Sequence, residues 1–515
     1  MGLLLAVDAG TTSVKAGLFS SDGRCLGVGR QEYQLETPAP DRVQLDPEVY
    51  WQACIKTVRA VLKQSGSAPN QVSALAVSSQ GETTITLDAH GRVIYPALVW
   101  LDNRATSQAA LLARQFSQDL YARTGLPEVL ATWSACKILW LKQNEPDVFA
   151  RAGTFLLVQD YLIQRLTGRI VSDGSVSCTT MNYELTGNKW RQDVPEAIGI
   201  RMDQLPELVQ PGTDIGCLTA EAAQQLGLTT RTRVVNGGMD QSVGAIGAGN
   251  VRPGLISEST GAALGIQATI SEALIDKAEV VPVYCHSVPG KFLFVPVCPT
   301  AGMALKWLRD TFFQAEIAAA KKKQLDAFDL LTGLAQAIPA GSEGLIMLPH
   351  LSGVYSPEPN LLARGSFTGF TLGHTRGHFV RSLLEGVAFM LRRNLEFIEH
   401  TGYEIDEIIS TGGGARSPLW NQIKADVCQR PVVTLKNEET ALLGDAILAG
   451  VATGEFESIE AGCKAMVTIN ERILPGPDQA AYLAAYQLYC NLDGQLADYF
   501  KKGYAAKNII SENES

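Results

Sequence analysis

The chain has no unbroken apolar run of about 18 residues, the length a membrane-spanning helix needs, and this excludes such a span. Nor does it carry an excess of positive charge. Its 43 Lys and Arg stand against 53 Asp and Glu, a formal net charge of −10, so it offers no broad electrostatic footprint for nucleic acid or an anionic membrane. A local basic pocket for a phosphate stays open. The ten cysteines form no Cys-x-x-Cys pair and read as reduced, mostly buried small side chains, which removes a zinc site and a disulfide framework. Met1-Gly2-Leu3 leads straight into a strand pattern without a basic signal region, so a cytoplasmic protein is expected. The glycine run Gly412-Gly413-Gly414 is no dinucleotide fingerprint, because the Gly-x-Gly-x-x-Gly spacing and the chain-initial strand are missing.

What is present is globular: 515 residues, 46% hydrophobic and 19% charged, with 48 glycines. That length exceeds one ordinary core and predicts two large domains. The first stretch is the most informative. Leu3 to Val7 is an apolar run that breaks at Asp8-Ala9-Gly10-Thr11-Thr12-Ser13 and resumes from Val14 to Phe19, the pattern of a buried β-hairpin. Its turn is either a simple tight turn or a small anion-binding concavity made by N–H groups around Gly10 and three hydroxyls, with Asp8 placed to hold a hydrated cation.

Asp46-Pro47-Glu48 starts a helix, with Asp46 as N-cap, and Gln71 to Ser79 is the next buried strand, ending in Gln80, Gly81 and Glu82. Ligands meet open α/β sheets at strand ends, so these three are ligand candidates, or else a plain strand-to-turn boundary. Pro96 to Arg104 repeats the pattern: Asp102 and Arg104 are placed to hydrogen-bond a polyhydroxylated ligand against a Trp100 wall, or to form a salt-bridged helix start. From Ala105 to about Thr167 the chain reads as helical, broken at Thr124 to Pro127, with Lys137 and Trp140 as contacts or as amphipathic surface. Asp240 stands where the strand Arg231 to Val235 and its Asn-Gly-Gly turn become a helix. It is the best single carboxylate for catalysis, or a helix cap.

Leu255 to Gly265 echoes the first hairpin, and a helix from His378 to His400 is followed by a strand ending at Gly412, as the helix after Asp46 is followed by the strand ending at Gln80. This predicts a duplicated architecture. Thr300-Ala301-Gly302 opens a helix at a small-residue turn, and Gly412 to Ser417 suits a flat or phosphorylated ligand lying on backbone. Asp445, within a helix of small residues, reads as structural; residues 472 to 502 read as a helical tail, with fraying expected from Asn508.

Together the two hydroxylated hairpin turns, the glycine turn and Asp240 resemble the FGGY family of carbohydrate kinases, over Leu3 to about Gly454. The resemblance implies two ribonuclease H-like (actin-like ATPase) α/β domains, 1–253 and 254–515, with a nucleotide and substrate cleft between them. It implies ATP held by Gly10, Thr11, Thr12, Ser13 and Lys15, by Thr260, Gly261 and Gly302, and by Gly413, Gly414, Ala415 and Arg416. It further implies Asp240 as catalytic base, Asp8 and Asp240 near Mg²⁺, and a small sugar or polyol on Gln80, Gly81, Glu82, Trp100, Asp102 and Asp240. Homodimerisation is a family expectation. The Trp-x-Asp-x-Arg segment is similar to that of xylulokinases, but Gly81-Glu82 replaces their Met-His pair; Glu82-Thr83 keeps two of the three residues of the glycerol kinases' Arg-Glu-Thr. D-xylulose is the first expectation, with glycerol, gluconate and ribulose-like acceptors open. An actin-like ATPase and a catalytically silent sugar sensor are the rivals from other classes.

Overall fold

The computed structural model describes residues 2–273 and 280–512, which fold into two compact α/β units. The first unit takes the chain to Arg252, Thr269–Leu293 and Glu439–Thr468; the second takes Pro253–Ala268, Phe294–Glu438 and Ile469 onward. The chain thus passes from the first unit to the second after Arg252, and two later segments return to the first unit.

The first unit is built on a six-stranded sheet of β1 (Leu3–Ala9), β2 (Ser13–Phe19), β3 (Cys25–Glu32), β4 (Val72–Ser79), β5 (Asp214–Cys217) and β6 (Arg233–Met239), in the order β5-β6-β4-β1-β2-β3. β1 and β2 are the predicted hairpin; β4 runs parallel to β1, β6 parallel to β4, and β5 antiparallel to β6. Helix α1 (Pro47–Ser65) starts as expected: Asp46 accepts the Glu48 N–H at 2.9 Å, and Pro47 needs no hydrogen-bond partner in the first turn. It buries Tyr50, Trp51, Cys54, Val58 and Val61 in one core with Leu5, Val7 and Val14. The stretch read as helical from Ala105 to about Thr167, with a break at Thr124 to Pro127, is interrupted further on by a strand, Ala152–Leu156, which pairs with Thr84–Asp88. Helix α2 (Asp240–Gly247) follows β6 directly.

The second unit repeats the order. β7 (Leu255–Thr260) and β8 (Leu264–Ile270) form a hairpin; β9 (Glu407–Thr411) lies parallel to β7, β10 (Val432–Leu435) parallel to β9, and β11 (Ile469–Ile473) antiparallel to β10. A hairpin, two parallel strands and one antiparallel edge strand thus occur in both units, which is the duplication expected. Helix α3 (Arg376–His400) precedes β9 as α1 precedes β4, and α4 (Pro418–Cys428) follows the glycine turn, capped by Ser417. Helix α5 (Thr440–Ala452) belongs to the first unit, where Leu442, Leu443, Ala446 and Ile447 join Leu4, Ala6, Ala74 and Val235 on the sheet face opposite α1. The terminal helix runs from Gln479 to Glu512, so backbone helix covers part of the stretch expected to fray; residues 513–515 lie outside the described residues.

Candidate functional site

In the first unit three parallel strands end in register. Ala9 of β1 pairs with Ser79 of β4, and Ser79 with Met239 of β6, so the residues that follow (Gly10, Gln80 and Asp240) leave the sheet at one edge. Asp8, Glu82 and Asp240 are all half-buried there. Desolvation, then repulsion from Asp8 and more weakly from Glu82, pushes Asp240 up to about 8. Asp8 rises to about 6 by desolvation, relieved by Lys15 and a hydrogen bond from Ser78 and raised further by repulsion from Glu439. Glu82 rises to about 7 by desolvation against the pull of Lys137 and Thr179. Carboxylates so crowded favour a cation or proton between them, and one lifted toward neutrality is a stronger base toward an alcohol than an ordinary aspartate.

The backbone that aims Asp240 is irregular. The β4–β6 register shifts between Asn236 and Gly238, a bulge that turns the strand end. Gly238 sits at φ 148, and a Cβ there would lie 2.2 Å from Ser287 Oγ and 2.6 Å from Ser175 Oγ. Ser175 Oγ accepts the Met239 N–H at 2.9 Å and donates to Asp173. Asp173 also accepts from Gln159 Nε2 at 2.7 Å and Asn236 Nδ2 at 3.1 Å, and all four side chains are buried. On the other flank Ser78 Oγ donates to the fully buried Asp445 at 2.6 Å and lies 3.3 Å from Asp8 Oδ1. Desolvation raises Asp445 well above the ordinary carboxylate range. The sequence pattern singles out Asp240 but not this support, which comes in part from the short-residue run Ser172 to Ser177.

Among the residues expected at a sugar, Gln80 is buried: its Nε2 donates to Tyr50 Oη at 3.1 Å and its Oε1 has no hydrogen-bond partner among the described residues. Gly81 packs on Thr179 and Met239, and Glu82 adopts φ 57 with its carbonyl accepting from Lys137 Nζ at 3.1 Å. Trp100 is 38% exposed and its indole N–H donates to Thr11 Oγ1 at 2.9 Å, which ties this wall to the first turn. Asp102 departs from the expectation. It is wholly buried, accepting from Val43 N at 2.6 Å, Arg104 N at 3.1 Å and the Arg104 guanidinium at 2.8 Å, so its oxygens face protein rather than a ligand. Lys137, read as contact or surface, is also wholly buried; it donates to three carbonyls, of Glu82, Leu98 and Val99, and burial lowers it to about 7.

In the first turn Gly10 N donates to Ser13 O at 3.0 Å, leaving Thr11 half-buried and Thr12 exposed. Lys15, opposite Asp8 in the hairpin, pairs with Glu439 at 2.6 Å. In the second unit the corresponding turn follows Thr260, with Gly261 N donating to Ala263 O at 3.0 Å. Gly302 stacks against it: its N–H meets Gly261 O at 3.0 Å, and a Cβ would come within 2.4 Å of that oxygen. Gly412 adopts φ 74, and Cβ atoms on Gly412 and Gly414 would strike Ser259 and Thr260. Thr260 and Gly261 thus touch both Gly302 and the Gly412–Gly414 turn. Beside them a cavity of about 150 Å³ is lined by Gly412, Ala415, Arg416, Asn421, Thr434 and Leu435. Arg416 pairs with Glu438 and is mostly exposed.

Among the described residues no group of three or more His, Cys, Asp or Glu side chains is gathered as a metal cage. The hard oxygens of Asp8 and Asp240 nevertheless fit Mg²⁺, which commonly takes one or two carboxylates and completes its shell with water and phosphate.

Two family models cover most of the chain. Residues 3–247 match the N-terminal domain and residues 256–453 the C-terminal domain of the FGGY family of carbohydrate kinases. The chain is 31% identical to a xylulose kinase of Lactococcus lactis over 95% of this chain and 96% of that one. It is equally 31% identical to a gluconokinase of Bacillus subtilis, over 96% and 98%. The crystal structure of xylulose kinase from Rhodospirillum rubrum superposes with a TM-score of 0.88 at 29% identity, covering 97% of this chain and all of that one.

Proposed function

The chain belongs to the FGGY family of carbohydrate kinases and so is an ATP-dependent phosphotransferase acting on a small sugar or polyol; from that premise we propose that the acceptor is D-xylulose, phosphorylated to D-xylulose 5-phosphate. The observation that carries the reading is that Asp8, Glu82 and Asp240 lie at the common edge where three parallel strands end. The likeness to xylulose kinases of the same length supports the choice of ketose. Gluconate is the alternative, favoured by the equally similar gluconokinase; glycerol and ribulose-like acceptors follow. The repeated hairpin and parallel-strand order supports assigning both units to the ribonuclease H-like, actin-like class.

Asp240 Oδ accepts a hydrogen bond from the acceptor hydroxyl, orients its lone pair and takes its proton as the oxygen attacks the γ-phosphorus. The bond from that phosphorus to the β,γ-bridging oxygen breaks, and ADP leaves with the electron pair. Backbone N–H groups of the Gly10–Ser13 turn and of the turn that follows Thr260 hold phosphate oxygens, with Lys15 beside the former. The Gly412–Arg416 turn and its cavity take the adenosine. Asp8 and Asp240 would hold Mg²⁺, which when bound neutralises charge on the phosphates. Trp100 covers the apolar face of the acceptor, and Gln80 Oε1 and Glu82 accept from its hydroxyls.

The test is ADP release by the full chain with Mg²⁺ across D-xylulose, D-ribulose, glycerol and gluconate. D-xylulose is expected to give the highest kcat/KM, and Asp240→Asn to remove most transfer while ADP still binds. Preference for gluconate would replace the acceptor, and unchanged turnover of the variant would remove Asp240 as base.

A further inference from the structure

Beneath the second unit's two candidate nucleotide turns lies a charge pair to which the mechanism above gives no role. Glu258 is in β7, two residues before Thr260, and Lys424 is in α4; both side chains are 0% exposed. Lys424 Nζ meets Glu258 Oε1 at 2.6 Å, Thr260 Oγ1 at 3.0 Å and Ser410 Oγ at 3.2 Å, three oxygens for its three N–H donors. Glu258 is equally occupied. Its Oε1 also accepts from Ser410 Oγ, its Oε2 accepts from Thr260 Oγ1 at 2.7 Å, and its backbone carbonyl accepts from Thr411 Oγ1 at 2.8 Å. Ser410 Oγ, whose one proton is shared unequally, also lies 3.3 Å from the acceptor Asn421 Oδ1, and Asn421 Nδ2 donates to Ala415 O at 2.7 Å. One buried network therefore grips Thr260 on the phosphate side and Ser410, Thr411 and Ala415 on the adenosine side.

A buried ion pair is a poor stabiliser, because desolvating two charges offsets their attraction and an apolar replacement is often neutral or better. Fixing a single arrangement is the better reason for keeping one. Close packing makes that arrangement matter: Gly414 lies so near Thr260 that a Cβ would sit 2.6 Å from Thr260 Cβ. Thr260 Cγ2 and Oγ1 lie 2.7 and 3.3 Å from that same point, so the glycine turn has little room to shift against Thr260. We propose that Glu258 and Lys424 are positioning residues for the nucleotide, holding the Thr260–Gly261 and Gly412–Ala415 turns in the one register that a single ATP spans. This rests on the assignment of those turns to the phosphates and the adenosine. Neither residue touches the nucleotide; both act through Thr260, Ser410 and Asn421.

The experiment measures ADP affinity by calorimetry, KM for ATP and for the acceptor, and thermal stability, on the full chain. Its variants are Lys424→Met, the apolar pair Glu258→Leu with Lys424→Met, and the milder Ser410→Ala. The apolar pair is expected to melt within a few degrees of wild type yet bind ADP about tenfold more weakly, within the range of couplings in one hydrogen-bond network. KM for ATP should rise with it while the acceptor KM holds. Ser410→Ala, which removes one link and no charge, is expected to weaken ADP severalfold and serves if the charge variants do not fold. ADP affinity within twofold of wild type in a folded apolar pair, or in Ser410→Ala, would overturn the proposal. Failure of the wild-type chain to bind ADP would instead overturn the assignment of the turns, and the proposal with it.

Discussion

Ser175 Oγ accepts the backbone N–H of Met239 at 2.9 Å, one residue before Asp240, while donating a hydrogen bond to Asp173. A fixed carboxylate thus reaches the candidate base through one hydroxyl and one peptide. Ser175→Ala is expected to lower kcat about tenfold, as loss of an outer-shell partner commonly does, with KM for ATP unchanged. Ser175→Thr keeps the hydroxyl and should restore part of the loss. Steady-state kinetics check this; a kcat equal to wild type in the alanine variant would show that the contact only packs.

Asp102 and Arg104 form a wholly buried pair that also holds the Val43 N–H. Removing the cation alone strands a buried carboxylate, so Arg104→Ala is expected to destabilise the first unit by about 3–5 kcal/mol. Asp102→Asn keeps the size and part of the hydrogen bonding, and should lose stability without changing acceptor preference. A variant with normal melting but a many-fold higher acceptor KM would return Asp102 to the sugar site.

His286 is buried, with Nε2–H donating to Asn250 O at 3.0 Å and Nδ1 accepting from Ser242 Oγ at 3.1 Å, the bonds of a neutral ring. Burial lowers its pKa to about 4. The unfolded chain takes up the proton first, at about 6.5, so stability falls as pH drops from there toward 4 and then levels. The loss from this residue is about 3 kcal/mol, from about 1.4 kcal/mol per unit. Denaturant titrations of wild type and His286→Gln between pH 7 and 4.5 should converge as the pH falls; parallel profiles would refute the assignment.

Gly238 is held at φ 148 against Ser175 and Ser287. Gly238→Ala is expected to cost about 1–3 kcal/mol through strain and overpacking, and to reduce turnover more than nucleotide affinity because the bulge aims Asp240. Calorimetric melting and ADP titration test the two halves; an unchanged melting temperature would mean that the bulge relaxes freely.

Legible from the residues alone were the hairpin turns at Gly10 and Gly261, the strand ends at Gln80 and Asp240, the glycine turn at Gly412 and the repeated order of elements. These are legible because strand period, turn residues and caps act over a few neighbouring positions. Long-range packing is what pairs Asp102 with Arg104, buries Lys137 and returns Thr269–Leu293 and Glu439–Thr468 to the first unit. It also decided that Asp240 is no ordinary carboxylate, since its lift comes from desolvation and from Asp8 and Glu82, which lie far from it in sequence. Burial and Coulomb repulsion depend on distance in space, and the fold sets that distance.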